Sequence, residues 1–190
     1  CKEFSIIKNI NETVQRCDGG NRCKFQKSEN LKHYVSKKAM NIDGLGEKQI
    51  EKFIELKIIA RKSDIYHIQK HSKRIINLEG YGEKSFQNLI SSINESKNTT
   101  LARYIFSLGL RYVGENNSEL LAQFFQSKDT FKNLINSKNL ITNLSNIDGL
   151  GVKAVESFVN FFNDERNKSE AIEIINFLNI KKIEVKKDSK

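Results

Sequence analysis

Proline and tryptophan are both missing from these 190 residues, and cysteine occurs only three times. With isoleucine, lysine and asparagine abundant, this has the look of a translated AT-rich genome. No apolar run approaches the roughly 20 residues that a membrane-spanning helix requires, and no charged-then-apolar start of the secretory kind exists. The expectation is an intracellular, cytoplasmic protein with no membrane partner. The first residue is Cys1, not methionine, which reads as a segment cut from a longer protein. An excess of acid is lacking as well: 32 Lys and Arg stand against 23 Asp and Glu, a net charge of +9, so an acidic partner is favoured.

What is present in quantity is a repeat. Ile42-Asp43-Gly44-Leu45-Gly46-Glu47-Lys48 is echoed by Leu78-Glu79-Gly80-Tyr81-Gly82-Glu83-Lys84 and by Ile147-Asp148-Gly149-Leu150-Gly151-Val152-Lys153. A weaker copy is Leu110-Arg111-Tyr112-Val113-Gly114-Glu115-Asn116. The closing glycines Gly46, Gly82, Gly114 and Gly151 are spaced 36, 32 and 37 residues apart, and seven of the ten glycines lie in these four stretches. Around them apolar residues recur three and four apart, as in Phe86, Leu89, Ile90 and Ile93, or Leu120, Leu121, Phe124 and Phe125. The unit is therefore helix, tight turn, helix.

Glycines in such a turn permit positive φ and let another backbone come close. The second helix then starts at once, offering unpaired amides and the positive end of its dipole, a natural seat for a phosphate. Lys48, Lys84 and Lys153 stand two residues past the closing glycine, with Asn116 in the odd copy. A lysine in a helix's first turn opposes the dipole by roughly 0.3 to 1 kcal/mol, so its recurrence asks for an external anion. A nucleotide-type Gly-x-Gly-x-x-Gly is excluded, because no copy has the third glycine or a preceding strand. The candidate DNA-binding residues are Gly44, Leu45, Gly46, Lys48, Gly80, Tyr81, Gly82, Lys84, Arg111, Val113, Gly114, Asn116, Gly149, Leu150, Gly151 and Lys153.

Residues 1 to about 29 differ from the rest, with β-prone Phe4 to Ile7, a Gly19-Gly20 turn and all the cysteines. Five residues separate Cys17 from Cys23 and fifteen separate Cys1 from Cys17. In an intracellular chain this favours structural zinc over disulfides, with Cys1, Cys17 and Cys23 as ligands. A fourth thiolate would come from an upstream Cys-x-x-Cys whose second member is Cys1, or His33 would complete the set. His67 and His71 read as helix surface. Residues 181 to 190 read as a basic, frayed tail or linker.

The stretch from His33 through Ser36, Ala39-Met40 and Ile42 to Gly46 resembles the His-Phe-x-Ser-Arg-x-Ala-Met-x-Ile-x-Gly-Leu-Gly run of bacterial NAD-dependent DNA ligases. Ser96-Lys97 and Leu108-Gly109-Leu110-Arg111-Tyr112-Val113-Gly114-Glu115 resemble that family's Ser-Lys and Leu-Gly-Ile-Arg-x-Val-Gly-Glu signatures, and Arg16-Cys17 with Cys23 resembles the later half of its zinc finger. The resemblance implies a mainly α fold: a zinc-finger module over 1–29, four helix-hairpin-helix motifs over 30–180, then the tail. It further implies a monomer that clasps nicked duplex DNA through phosphates and the minor groove, without regard to sequence. Adenylation from NAD, and the magnesium it uses, would belong to the parent enzyme, since no Lys-x-Asp-Gly nucleophile motif occurs here. The departures are Lys24 where the family has proline, and Phe86 and Val155 where it has small residues. Two rivals remain: a hairpin module of another repair or recombination protein, and a basic scaffold for acidic protein partners.

Overall fold

A computed structural model describes residues 6–7, 16–17, 19 and 23–183 of the chain. Ten α-helices are found among the described residues: α1 Lys24–Val35, α2 Glu47–Glu55, α3 Ser72–Ile76, α4 Glu83–Ser96, α5 Leu101–Ser107, α6 Glu115–Phe125, α7 Lys128–Leu134, α8 Leu140–Ser145, α9 Val152–Asn163 and α10 Glu165–Phe177. The mainly α expectation holds. Two short strand pairs frame them. β1 (Ile6–Ile7) runs antiparallel to β2 (Arg16–Cys17), in the front segment where β structure was expected, and β3 (Asn98–Thr99) runs parallel to β4 (Asn179–Ile180).

Three features depart from the expected layout. Helix α1 starts at Lys24 and so runs through the boundary expected near residue 29. Lys24 is its first residue, a place where proline is tolerated but not required. Lys62–His71, which carries His67 and His71, is a 3-10 segment. Asp64 folds its start, its carboxylate accepting from the amides of Ala60 (2.7 Å) and Arg61 (2.9 Å). His67 is not simple surface: it lies 3.6 Å from Glu173 and meets the Phe177 ring edge-on. The expected tail is anchored at its beginning, because β4 pairs with β3 and the Ile183 amide donates to Gln126 O at 2.8 Å. Residues 184–190 lie outside the described residues.

A single apolar core joins the helices. Phe125, Phe131, Phe158 and Phe162 are fully buried in it and meet at ring separations of 4.7 to 6.4 Å. Phe86 and Val155, the bulky departures, are buried too, so the core is built around them. Buried aromatic pairs of this kind contribute about 0.5–1.5 kcal/mol each beyond the area they bury.

Polar ties bridge distant parts of the chain. Tyr104 on α5 donates its hydroxyl to Ala171 O on α10 (2.7 Å), and Glu170 accepts from the Lys62 amide (2.6 Å). The Lys62 ammonium reaches Leu108 O at 2.6 Å, at the C-terminal end of α5 where helix dipoles favour a cation. Burial pushes its pKa down to about 8, against the pull of Glu170. Below pH 8 both folded and unfolded chains keep this proton; between about 8 and the ordinary 10.5 only the unfolded chain does. Stability must then rise with pH across that window, since the unfolded state binds more protons. Urea unfolding of the wild type and Lys62→Met should show the wild type gaining relative to the variant from pH 8 to 10.5. A flat difference would contradict the burial of this ammonium.

Candidate nucleic-acid interface

Each of the four Gly-containing stretches forms the turn between two helices, and the second helix begins directly after its closing glycine. Gly46, Gly82, Gly114 and Gly151 are the N-cap residues of α2, α4, α6 and α9. In the second, third and fourth turns the amide of Tyr81, Val113 or Leu150 closes a tight turn onto Leu78 O, Leu110 O or Ile147 O (2.9–3.2 Å). The residue before that amide takes positive φ: Gly80 at 79°, Tyr112 at 61° and Gly149 at 80°. Gly44 matches them at 86°. This is a turn that needs a left-handed residue at its third position.

The turns are anchored from within. Leu45, Val113 and Leu150 are buried. Tyr81 in the second copy is half-buried, its ring 5.6 Å from that of Phe53 and its hydroxyl donating to Gly44 O at 3.3 Å. These side chains were placed among the DNA-binding candidates on sequence. In the fold Leu45, Val113 and Leu150 turn their side chains into the core and hold the turn down, and Tyr81 does so in part. Gly44, Gly46, Lys48, Gly80, Lys84, Gly114, Asn116, Gly149, Gly151 and Lys153 are exposed, while Gly82 and Arg111 are partly so.

The helix starts themselves are bare. No side-chain oxygen caps α2, α4, α6 or α9, and the first helical amides to bond back to the closing glycines are those of Ile50, Phe86, Ser118 and Ala154. By contrast Thr100 caps α5, Ser127 caps α7 and Asp164 caps α10. Side-chain caps are also absent at α1, α3 and α8, so what sets the four hairpin starts apart is the glycine at the cap position. The cap glycines are not demanded by conformation, since Gly82, Gly114 and Gly151 have ordinary extended backbones. Nor are they demanded by packing: a Cβ at any of these three would meet nothing within 4 Å. What the missing side chain leaves is room for a second molecule beside the amides.

Of the three acidic residues that open these helices, Glu83 accepts from Gln87 Nε2 (3.0 Å) and the other two are held by lysines from elsewhere in the chain. Glu47 pairs with Lys32, which also holds Glu29 and Glu51 at 3.0 Å, and these carboxylates hold the Lys32 ammonium above its ordinary pKa. Glu115 pairs with Lys38 at 2.7 Å. Lys48 and Lys84 make no ion pair among the described residues, and Lys153 lies 5.6 Å from the Tyr112 ring.

Contacts link the turns in the spatial order second, first, third, fourth. Tyr81 reaches Gly44 O, Lys38 in the loop before the first turn reaches Glu115 on α6, and Lys153 reaches Tyr112. The first turn is seated on α4, where the Asp43 amide donates to Ser92 Oγ (2.7 Å) and a Cβ at Gly44 would lie 3.5 Å from Leu89 Cδ1. The fourth is seated on α6 in the same manner, with Gly149 against Leu120 at 3.4 Å.

At the front of the chain the thiols of Cys17 and Cys23, neither in a disulfide, lie within hydrogen-bonding reach of one another, and the Gly19 amide donates to Cys17 Sγ at 3.4 Å. Cys23 is the N-cap of α1, and the Gln26 amide, with smaller help from Phe25 and Cys17, holds its thiol below the ordinary value. Cys1 lies outside the described residues. His33 is directed elsewhere, with Nε2 2.8 Å from Phe106 O and its ring edge-on to Phe106. Among the described residues no group of three or more potential ligands is assembled.

Comparison with known proteins settles the kinship. Residues 103–170 match the helix-hairpin-helix motif family. A DNA ligase of Pelagibacter ubique is 39% identical over 93% of this chain and 27% of its own length; one of Wolbachia pipientis is 40% identical over 88% and 26%. A DNA ligase of Acinetobacter baumannii is 45% identical over 67% of this chain and 19% of its own length. The chain is homologous to bacterial DNA ligases. It spans about a quarter of the length of the curated relatives it matches.

For this ligase-related chain, the two kinds of turn glycine should respond differently to a methyl group. Gly82→Ala should leave the thermal unfolding free energy within about 0.5 kcal/mol of wild type. Gly44→Ala should lower it by about 1 to 2 kcal/mol, because φ of 86° is left-handed. Equal losses in a melting experiment would mean that the cap glycines serve internal packing after all.

Proposed function

We propose that this chain is the DNA-gripping part of an NAD-dependent DNA ligase, holding duplex DNA across a nick without reading its sequence. The observation that carries this reading is the glycine cap of the four hairpin helices: each begins with amides that no side chain caps, and beside Gly82, Gly114 and Gly151 a Cβ would meet nothing within 4 Å. An external phosphate oxygen satisfies such amides, gains from the dipole and gives Lys48, Lys84 and Lys153 the anion they otherwise lack. Such contacts position a protein on DNA and carry no sequence information. Spaced turns linked side by side suit a backbone that offers phosphates at regular intervals, as both edges of a minor groove do.

The ligation chemistry lies outside this segment on the present reading. NAD and magnesium serve the adenylating part of the parent enzyme, and this chain works as a monomer in the cytoplasm. No described helix is long and apolar enough to cross a membrane. Binding to nicked duplex should fall steeply with salt. Changing Lys48, Lys84 and Lys153 to Gln should flatten the log affinity against log salt slope by about 0.9 for each lysine that meets a phosphate. A wild type that stays folded yet fails to bind at low salt would refute this reading.

The cysteines fit a structural zinc. Adjacent sulfurs, a Cys23 thiol held low and an amide donated to Cys17 Sγ are features of thiolate ligands. Cys17 and Cys23 would supply half of a tetrahedral set and Cys1 a third thiolate, the fourth position being filled by a donor other than a cysteine of this sequence. Zinc there would fold a module too small to have its own core. Metal analysis of the chain should give one zinc, lost in Cys17→Ser/Cys23→Ser, with α4 to α10 still folded by circular dichroism; no zinc in the wild type would remove this assignment.

A further inference from the structure

The third turn departs from the others in the residue that takes its left-handed position. Tyr112 stands in the register of Gly44, Gly80 and Gly149 and adopts their left-handed backbone, at φ 61°. That conformation disfavours an L residue by roughly 1 to 2 kcal/mol, and a bulky residue there is an outlier. Burial does not offset it, because Tyr112 is 41% exposed. Instead the turn is pinned in place, with Asn117 Nδ2 donating to Tyr112 O at 2.7 Å. Two cations lie against the ring, the Arg111 guanidinium 4.6 Å from its centre and Lys153 Nζ 5.6 Å. Asn41 and Lys57 share the left-handed backbone, but Tyr112 is the bulky aromatic among them, and strained positions cluster at functional sites.

Its neighbourhood departs in the same direction. Val152 occupies the place of Glu47, Glu83 and Glu115 and is 73% exposed. Ile141 on α8, the first helix of the same hairpin, is also exposed. Three of the four large apolar side chains exposed among the described residues thus belong to the third and fourth hairpins. The third turn also has Asn116 where the others have lysine. Charge has been exchanged for apolar surface at one end of the row of turns, while cations remain on both sides of it.

We propose that Tyr112 and Val152 form an apolar ridge that enters the minor groove of duplex DNA and packs on its deoxyribose walls, flanked by Arg111 and Lys153 on the phosphates. This rests on the DNA-binding reading given above. The complementarity is specific to that occupant: the groove has apolar sugar walls between two anionic edges and is about 6 Å wide, which admits a ring but not a helix. Apolar wedges are an established means of engaging this groove. The ridge supplies the salt-insensitive part of binding, and the phosphate contacts of the turns, Arg111 and Lys153 included, supply the salt-sensitive part.

The test compares wild type, Tyr112→Gly and Lys84→Gln chains on a fluorescent nicked duplex over a salt series, with melting curves of each. Tyr112→Gly restores the residue of the other turns, so its melting temperature should equal or exceed that of wild type. It should bind about tenfold more weakly at every salt concentration with an unchanged slope, the order of effect that loss of a buried apolar side chain has. Lys84→Gln should change the slope. Equal affinity of Tyr112→Gly and wild type would overturn the ridge and leave the phosphate turns standing. A changed slope in Tyr112→Gly would also overturn it, showing that the ring acts only by placing Arg111 and Lys153. Failure of the folded wild type to bind at all would overturn the DNA-binding reading itself.

Discussion

Every hairpin depends on one apolar side chain set between its left-handed residue and its closing glycine. Leu45, Val113 and Leu150 are sunk into the core, and Tyr81 does the same work against Phe53. Burying such a side chain stabilises by about 1.5–3 kcal/mol. That is enough to hold the preceding residue in a strained backbone region and to set where the next helix begins. With the anchor turned inward, the residues on either side of it lie at or near the surface. The candidate interface is therefore a by-product of core packing: the same residue that closes the turn aims its backbone.

With the backbone aimed, electrostatics decides what the surface can hold. Lys32 and Lys38 draw Glu47 and Glu115 aside, so the negative charges that open those helices are partly neutralised by the chain itself. The bare amides and the lysines just behind them are left to act on the surroundings. Surface pairs like these contribute little to stability, about 0–1 kcal/mol. Their importance here is the sign of the local field, which favours an anion at helix starts that would otherwise carry a carboxylate.

The row of turns is held in place by contacts far apart in sequence. Lys62 and Glu170 tie the segment after the first hairpin to α5 and α10, and Tyr104 joins α5 to α10. β3 with β4 closes the C-terminal end onto the link between the second and third hairpins. A set of four independent hairpins would have no fixed spacing. These ties make the spacing a property of one core, which is what a surface matched to a periodic backbone requires.

The repeat, its register and the helix, turn, helix unit could be read in the sequence, because each depends on neighbours within about seven residues and on what glycine alone permits. The lysines two residues past the closing glycines were legible for the same reason. The burial of Leu45, Val113 and Leu150 was not, since a leucine beside a glycine looks the same whether the core or solvent receives it. Nor were the 3-10 form of Lys62–His71 and the early start of α1, which local propensity leaves open and packing resolves. Tyr112 was visible only as an imperfect match to the repeat. That it keeps the left-handed backbone of a glycine, and stands exposed between Arg111 and Lys153, follows from Lys153 arriving across the fold from another turn. Local chemistry determined the turns; their order in space and the face they share were decided by tertiary packing, because only it brings together residues a hundred positions apart.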